Sequence, residues 1–230
     1  MRFNSDQIQK IGKEISSKVD GKTLFDEFSR GRYSTDASVY QIKPLGVVLP
    51  KDTNDVLSLM EYSQKNSVPL LARGGGSSQC GQTVGESVVL DYSKHQNKIL
   101  ELNVEEKYVW VQPGVVLDHL NAYLKPHGLW FPVDVSTSSR ATIGGMSANN
   151  SCGSRSLYYG NMVHNVLAIE AILDDGSIFN FDQINKNYLA TKNNQDRLYK
   201  IIDKFIDVRQ QVGGEIDANW PTTQRRVGGY

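Results

Sequence analysis

The amino-acid sequence predicts an α+β fold in two subdomains: a small sheet that contains a β-α-β unit, and a larger, mainly antiparallel sheet with helices. From residue 46 onwards, short runs rich in β-branched residues lie on either side of a stretch with helical spacing of apolar residues and a capping residue at its start. Residues 108–111 alternate as a half-buried antiparallel strand does, and Asp174-Asp175-Gly176 separates two further strand-like runs. At 230 residues the chain can form one large domain or two modest subdomains, with a sizeable core in either case.

The first 40 residues are predicted to form one amphipathic helix and a connecting segment. Residues 5–19 place four apolar side chains at helical spacing, and Ser5 or Asp6 is the expected N-cap. These side chains belong to Ile8, Ile11, Ile15 and Val19. Residues 31–40 are polar and irregular, which favours a solvated linker over a segment that reaches a ligand.

The predicted β-α-β unit follows this linker. Residues 46–50 and 68–71 have the composition of strands, and the helix between them begins at a cap on Asp52 or Thr53. Residues 88–91, 99–102 and 108–111 supply further strands. Because ligands of α/β units collect at the carboxyl ends of strands, the loop after residue 71 is well placed to bind one.

The remaining elements are a helix, a hairpin and a terminal helix. Residues 116–124 are predicted as a helix that Pro126-His127-Gly128 stops. Residues 166–173 and 177–181 are predicted to pair as a hairpin. Residues 197–212 are predicted as a helix with one apolar side. That side consists of Leu198, Ile201, Ile202, Phe205 and Ile206.

A first glycine-rich loop spans residues 73–81, with the sequence Arg-Gly-Gly-Gly-Ser-Ser-Gln-Cys-Gly. Adjacent glycines allow positive φ and let a ligand approach the main chain, so successive amides can converge on an anion such as a diphosphate. Ser77 and Ser78 add hydroxyl donors, and Arg73 either contacts the anion or braces the loop. The alternative is an ordinary turn that binds nothing, because most glycine clusters are of that kind.

A second loop spans residues 142–153 and contains the pair Gly144-Gly145. The pair exposes backbone amides, and short polar side chains around it could hold a phosphate or a ribose. These side chains are Thr142, Ser147, Asn149 and Asn150. A tightly packed helix start is the alternative interpretation, but two such loops in one modest domain favour nucleotide binding.

Composition excludes several classes of protein. With 25 basic and 25 acidic residues the chain has no net charge, which argues against binding to nucleic acid or to an anionic membrane. No apolar run is long enough to cross a bilayer, and the N-terminus lacks a secretory pattern. We therefore expect a cytoplasmic protein, which leaves peripheral membrane association open.

The cysteines and histidines predict neither a metal site nor a disulfide framework. Cys80 and Cys152 each lie in a glycine-containing loop, and reduced thiols are the simplest account. A disulfide would require the two loops to face each other. Two cysteines without histidine pairs do not supply the four ligands of a structural zinc.

The two loops in this order resemble the FAD-binding domain of the p-cresol methylhydroxylase and vanillyl-alcohol oxidase (PCMH-type, FAD-linked oxidase) family. Residues 73–78 with Gly81-Gln82 are similar to its first diphosphate loop. The second part runs from Pro132 and Ser136 through residues 142–145 to Asn150, Gly153 and Tyr159-Gly160. The resemblance covers roughly residues 33–181.

This resemblance implies a set of FAD-binding residues. Amides of residues 74–78, Gly144 and Gly145 would hold the diphosphate, other residues would line the path of the flavin, and the segment around Val166 would lie by the adenine. The implied contacts are Arg73, Gly74, Gly75, Gly76, Ser77, Ser78, Gly81, Gln82, Pro132, Ser136, Thr142, Gly144, Gly145, Asn149, Asn150, Gly153, Tyr159, Gly160 and Val166.

One departure from the family pattern concerns the flavin linkage. Many relatives in the family tether the flavin to a histidine beside the glycines of the first loop, where Ser77 or Ser78 stands here. We therefore expect non-covalent FAD. Ordinary surface or packing roles are expected for His95, His119, His127 and His164.

Within the family, the chain is most similar to the D-2-hydroxy-acid dehydrogenase branch, which includes D-lactate and glycolate dehydrogenases and long members with a C-terminal iron–sulfur module. The implied reaction is oxidation of a 2-hydroxy acid to the 2-oxo acid by hydride transfer to flavin N5, with a separate electron acceptor. Two alternatives stay open: the FAD domain of an aldonolactone or sugar-alcohol oxidase or of a cell-wall precursor reductase, and a non-enzymatic nucleotide-binding module.

The expected domain organisation is an N-terminal helical extension over 1–32, the FAD-binding domain over 33–212, and a linker from 213 to 230. The FAD-binding domain divides into subdomains of about 40–102 and 103–212. We expect the linker to lead into a substrate domain that supplies the catalytic residues, which are unknown here. Because no cysteine cluster is present, any iron–sulfur centre belongs to a longer parent, and this part alone is expected to be inactive.

Overall fold

The computed structural model describes residues 3–182, 197–223, 226, 228 and 229. Two compact units are present. The first comprises Met1–Asn165 together with Val227–Tyr230, and the second comprises Val166–Arg226. The predicted subdomains of about 40–102 and 103–212 follow different boundaries and stay predictions.

The first unit contains a four-stranded sheet in the order β1-β2-β4-β3. Its strands are β1 (Lys22–Leu24), β2 (Gly46–Leu49), β3 (Leu70–Arg73) and β4 (Val88–Asp91). Strands β2, β4 and β3 run parallel, and β1 is antiparallel to β2. All residues of β2 and β4 are buried, as is typical of central parallel strands. The predicted β-α-β connection is present, with β4 inserted between β2 and β3.

Three helices accompany this sheet: α1 (Ser5–Ser16), α2 (Glu27–Arg32) and α3 (Thr53–Asn66). Asp52 caps α3, as predicted, by accepting from the amides of the first helical turn. The predicted cap of α1 was wrong, because Asn4 is the N-cap and forms a reciprocal capping box with Gln7. Helix α1 also ends three residues earlier than predicted.

Three further differences concern short elements. Strand β1 and helix α2 were not predicted from the sequence. Asp26 is the N-cap of α2, and its carboxylate accepts from the Ser29 amide. Strand β3 starts at Leu70, not at residue 68. The reason is local: the Val68 amide donates to the Ser63 carbonyl and closes α3, so it does not enter the sheet.

The rest of the first unit combines a two-stranded sheet with short helices. Strands β5 (Ile99–Asn103) and β6 (Tyr108–Val111) pair antiparallel, as predicted. The helices are α4 (Leu117–Leu124), a 3-10 turn (Lys125–His127), α5 (Ile143–Ala148), α6 (Ser156–Tyr159) and α7 (Met162–Asn165). Val115, Leu120 and Leu124 form a core cluster under β5 and β6, which fixes the start of α4 near the second loop.

The second unit contains a hairpin and one long helix. Strands β7 (Ile169–Ile172) and β8 (Ile178–Phe181) pair antiparallel around the predicted Asp-Gly turn. Helix α8 (Arg197–Asn219) is longer than predicted, and Arg197 pairs with Asp174 and Asp175 of that turn. On the predicted apolar side of α8, Leu198 and Ile202 are buried, whereas Phe205 is 72% exposed.

Candidate functional site

The first loop packs directly against the start of the second loop and the residues just before it. A Cβ on Gly74 would lie 2.1 Å from the Thr142 hydroxyl oxygen, and a Cβ on Gly75 would lie 2.2 Å from the Arg140 carbonyl oxygen. Both distances are far below van der Waals contact, so only glycine fits at either position. The structure therefore brings together the two motifs that the sequence predicted as halves of one site.

The first loop presents a continuous run of free amides. In the part of the chain that the structure describes, the backbone N–H groups of residues 74–78 donate to no other residue. Gly76 adopts φ +64°, which turns the chain within this run. Backbone amides are strong donors that proteins nearly always satisfy, with solvent or a ligand when not with themselves. This run therefore offers a set of backbone donors to an anion.

Arg73 braces this loop from the protein side. Its Nη2 donates to the Thr35 carbonyl at 2.9 Å, and its Nη1 donates to the Thr83 carbonyl at 3.1 Å and the Tyr33 carbonyl at 3.5 Å. The guanidinium also lies 5.2 Å from the centre of the Tyr33 ring. Burial lowers the pKa of Arg73, and the neighbouring Asp91 opposes that effect. Of the two roles considered for Arg73, the geometry supports the brace.

Tyr33 extends the brace to the end of β4. Its hydroxyl donates to Asp91 Oδ2 at 2.7 Å, and Asp91 is the cross-strand neighbour of Arg73. Asp36 likewise accepts from the Thr83 hydroxyl at 3.0 Å. Burial opposes ionisation of Asp36, but hydrogen bonds from Ser38 and Thr83 outweigh it and lower its pKa. Residues 33–36 are therefore part of the site's support, and their interpretation as a solvated linker was wrong.

Tyr33 should ionise late in an alkaline titration. Burial, and then the carboxylate of Asp91, raise its pKa from 10.0 to about 12. The folded state therefore favours the protonated phenol, so this contribution to stability is complete below pH 10 and is lost as the pH rises through about 12. The absorbance of tyrosinate, taken as the difference between wild type and Tyr33→Phe, measures this ionisation.

Asp91→Asn is the control for this titration, because it removes the charge and keeps the shape. The ionisation of Tyr33 should then occur at lower pH than in wild type. An unchanged titration in Asp91→Asn would show that the two groups do not interact.

The far end of the first loop is held by its own side chains. The Ser78 hydroxyl is hydrogen-bonded to Gln82 Oε1 and accepts from the Cys80 amide. Gly81 adopts φ +79° and packs against the Tyr40 ring, which a Cβ would approach to 2.6 Å. Among the described residues the Ser77 hydroxyl makes no hydrogen bond, so it is the serine available to a ligand.

The second loop is a tightly packed helix start. Thr142 is 2% exposed and caps α5, with its hydroxyl accepting from the Gly145 amide at 3.4 Å. The Gly144 amide donates to the Pro113 carbonyl at 2.9 Å. The prediction that this amide holds a phosphate was therefore wrong: Gly144 packs closely on Pro113, while the Gly145 backbone is exposed.

Asp134 holds the segment 132–136 against the residues that follow the second loop. Its carboxylate accepts from the Arg155 amide at 3.0 Å and from the Ser154 hydroxyl at 2.8 Å. A Cβ on Gly153 would lie 1.8 Å from the Asp134 carbonyl oxygen, which requires glycine there. Burial works against the charge on Asp134, but these hydrogen bonds prevail and lower its pKa. Asp134 was not among the predicted site residues, although its neighbours Pro132 and Ser136 were.

Aromatic and small residues complete the surroundings of the second loop. Tyr159 meets the edge of Trp130 at 5.1 Å, and the Arg155 guanidinium lies 5.0 Å from the Trp130 ring. Gly160 adopts φ +79° and packs on His164, whose ring nitrogen accepts from the Asn161 amide. This contact gives His164 a local packing role. Val166 lies in the second unit ahead of β7, and its predicted contact with adenine stays a prediction.

The remaining predictions concern metals, thiols and membranes. Cys80 and Cys152 are both free, so the alternative of a disulfide was wrong. Over residues 3–182 and 197–223, no cluster of three or more His, Cys, Asp or Glu side chains is arranged to hold a metal ion. No helix in the described part of the chain is both long and apolar enough to span a membrane.

Comparison with known proteins identifies the domain. The FAD binding domain family matches residues 44–182. The chain is 42% identical over 155 residues to D-2-hydroxyglutarate dehydrogenase of Haemophilus influenzae, covering 66% of this chain and 15% of that protein. It is 37% identical over 176 residues to glycolate oxidase subunit GlcD of Bacillus subtilis, covering 74% of this chain and 37% of that protein.

A solved structure supports the fold. The protein named BBE-like 1 of Physcomitrella patens superposes with a TM-score of 0.66 at 21% identity, covering 77% of this chain and 39% of that one. At this identity the likeness establishes the mixed α/β architecture alone. The predicted PCMH-type fold is confirmed. The chain spans well under half the length of each of these proteins.

Proposed function

The chain belongs to the FAD binding domain family, and from this membership we propose that it is the cofactor-binding part of a flavin-dependent dehydrogenase that oxidises a D-2-hydroxy acid. FAD, when bound, supplies the acceptor for the hydride taken from the carbon that carries the hydroxyl group. The protein's part is to bind this cofactor, orient it and keep water from the reacting atoms. The described residues bear on the first two of these tasks.

One observation carries the proposal of where FAD binds: the amides from Gly74 to Ser78 have no acceptor among the residues that the structure describes. A diphosphate offers several anionic oxygens, and charge-assisted hydrogen bonds from backbone amides are stronger than those between neutral groups. The chain has no net charge, so recognition of the anion rests on these local donors. The residues present fit the cofactor, because glycine leaves the amides accessible and Arg73 holds their direction.

The second loop contributes mainly shape to this proposed site. Gly144 and Thr142 are committed to packing and capping, and they fix the position of the exposed Gly145 backbone. Ser147 donates its hydroxyl to the Ile143 carbonyl, and Asn149 accepts from Ser151. These side chains therefore hold the loop, while the first loop supplies the donors for the phosphates.

The substrate class rests on the relatives. Those that cover most of this chain are named D-2-hydroxyglutarate dehydrogenase, and others are named D-lactate dehydrogenase or glycolate oxidase subunit. The substrates in these names share a hydroxyl group on the carbon next to a carboxylate. We therefore propose a 2-hydroxy acid, with D-2-hydroxyglutarate the first to test, and assign no catalytic residue within this chain.

Binding of non-covalent FAD is the prediction that tests the function. At about 100 times its Kd, FAD should stabilise the protein by about 2.7 kcal/mol, which raises the Tm of a chain of this size by roughly 5 to 10 °C. The flavin should leave the protein on acid denaturation, because Ser77 and Ser78 cannot form the histidyl bond. Differential scanning fluorimetry and the absorbance of the released flavin measure these two effects.

Riboflavin is the matched control, because it carries the same ring without the diphosphate. It should shift the Tm far less than FAD does. Equal shifts with both compounds would refute the role of the first loop, and the absence of any shift with micromolar FAD would refute the proposed cofactor.

A further inference from the structure

Asn150 joins three parts of the first unit through one side chain. Its Nδ2 donates to the Gly228 carbonyl at 3.2 Å, and its Oδ1 accepts from the Val163 amide at 3.1 Å. Its backbone adopts φ +53°, a left-handed conformation that Asn tolerates better than most residues. The chain leaves the first unit after Asn165 and returns to it at Val227. Asn150 therefore makes hydrogen bonds close to both places where the chain crosses the boundary of the first unit, near Asn165 and near Val227.

Gly229 lies directly on the main chain of the second loop. A Cβ there would lie 2.2 Å from the carbonyl carbon of Asn149 and 2.3 Å from its carbonyl oxygen. Backbone atoms cannot move aside as a side chain can, so this contact requires glycine. The adjacent Gly228 has no atom within 4 Å of its Cβ position. We call residues 228 and 229 the tail. Gly229 packs tightly on the second loop, whereas the space around the Cβ position of Gly228 is open.

The tail can affect binding of the cofactor because it contacts Asn149 and Asn150, two residues of the proposed FAD site. Each polar atom of the Asn150 side chain makes one hydrogen bond within the protein, so the side chain helps to hold the shape of the loop. A loop held in one conformation before binding loses less conformational entropy when the ligand binds. Docking of the tail should therefore prepare the second loop for the cofactor.

We propose that Asn150 is a positioning residue, and that docking of the tail onto Asn149 and Asn150 and binding of FAD strengthen each other. This inference rests on the proposed function. Coupling between two binding events is reciprocal: if the docked tail raises the affinity for FAD, bound FAD must stabilise the docked tail by the same factor.

Gly229→Ala and Gly228→Ala test the coupling as a matched pair, because the same methyl group is added at neighbouring positions. Gly229→Ala should raise the Kd for FAD by at least about fivefold, within the usual range of coupling between sites. Gly228→Ala should leave the Kd within about twofold of wild type, as expected for a surface change. Equal Kd values for the two variants, or tighter binding by Gly229→Ala, would overturn the proposal.

The carbonyl 13C resonance of Gly228 separates this inference from the proposed function, because this carbonyl accepts from Asn150 Nδ2. Asn150→Asp retains the acceptor for the Val163 amide but loses the donor to Gly228, so without FAD the resonance should move towards its random-coil position. In the wild type, FAD should move the resonance further from the random-coil position, a change that a purely structural role of Asn150 does not produce. Wild-type protein that binds FAD with no effect on the tail would overturn the coupling, whereas failure to bind FAD at all would overturn both proposals.

Discussion

Gly75→Ala should weaken FAD binding by at least about tenfold, the equivalent of one charge-assisted hydrogen bond or more. The added methyl group would lie 2.2 Å from the Arg140 carbonyl oxygen and 2.9 Å from its carbonyl carbon, so the two loops must separate. Their separation should also lower the stability of the FAD-free protein by about 1–3 kcal/mol, as overpacking commonly does. Isothermal titration with FAD and chemical denaturation without it measure the two effects.

Gly85→Ala is the control for this substitution, because it lies in the same connection between β3 and β4. Its Cβ would meet no atom closer than 3.5 Å, which is ordinary contact. The Kd for FAD should then stay close to that of wild type. If Gly75→Ala bound FAD as tightly as Gly85→Ala does, the contact between the loops would have no part in the site.

Arg73→Met should destabilise the protein before any ligand is added. The substitution keeps much of the apolar stem and removes the donors to three carbonyl groups, for which a loss of about 2 kcal/mol is expected. For a chain of this size the Tm should fall by roughly 4 to 8 °C. Because the brace holds the first loop, FAD affinity should fall in the same variant. Thermal unfolding with and without FAD reports both changes.

Arg32→Met provides the comparison, since Arg32 is exposed and its guanidinium lies 5.9 Å from the Phe28 ring. It should change the stability by less than about 0.5 kcal/mol. If Arg73→Met lost affinity for FAD without losing stability, the guanidinium would be a phosphate ligand and not a brace.

Features set by neighbouring residues were predictable from the sequence. Strands β2 and β4 contain the apolar runs 47–49 and 88–90, and the cap of α3 follows from Asp52 and the helical pattern after it. The cap of helix α1 was not predictable in this way. Asn4 is the observed cap and Ser5 was a predicted one, and which of two adjacent polar residues caps the helix depends on the backbone geometry of its first turn. The start of strand β3 was not predictable either, since the end of α3 takes the Val68 amide.

The two glycine-containing motifs of the candidate site were predictable from the sequence, but the residues that hold these loops in place were not. Three adjacent glycines and a Gly-Gly pair are visible in a sequence, and their chemistry indicates backbone contact with an anion. Tyr33 and Asp91 are 58 residues apart, and Asn150 and Gly228 are 78 apart. No local pattern connects residues so distant. The amide of Gly144 was misassigned for the same reason, because its acceptor belongs to another part of the chain.

The separation of Asn150 from Gly228 also sets an order of events during synthesis of the protein. The carbonyl that Asn150 binds is made 78 residues after the side chain that receives it. At about 5–20 residues per second, the ribosome needs roughly 4 to 16 s to cover that distance. The first loop can assemble against β4 during this interval, whereas the contacts of Asn149 and Asn150 with the tail form only after it. A nascent chain can therefore form the first loop before Asn150 meets its acceptor at Gly228.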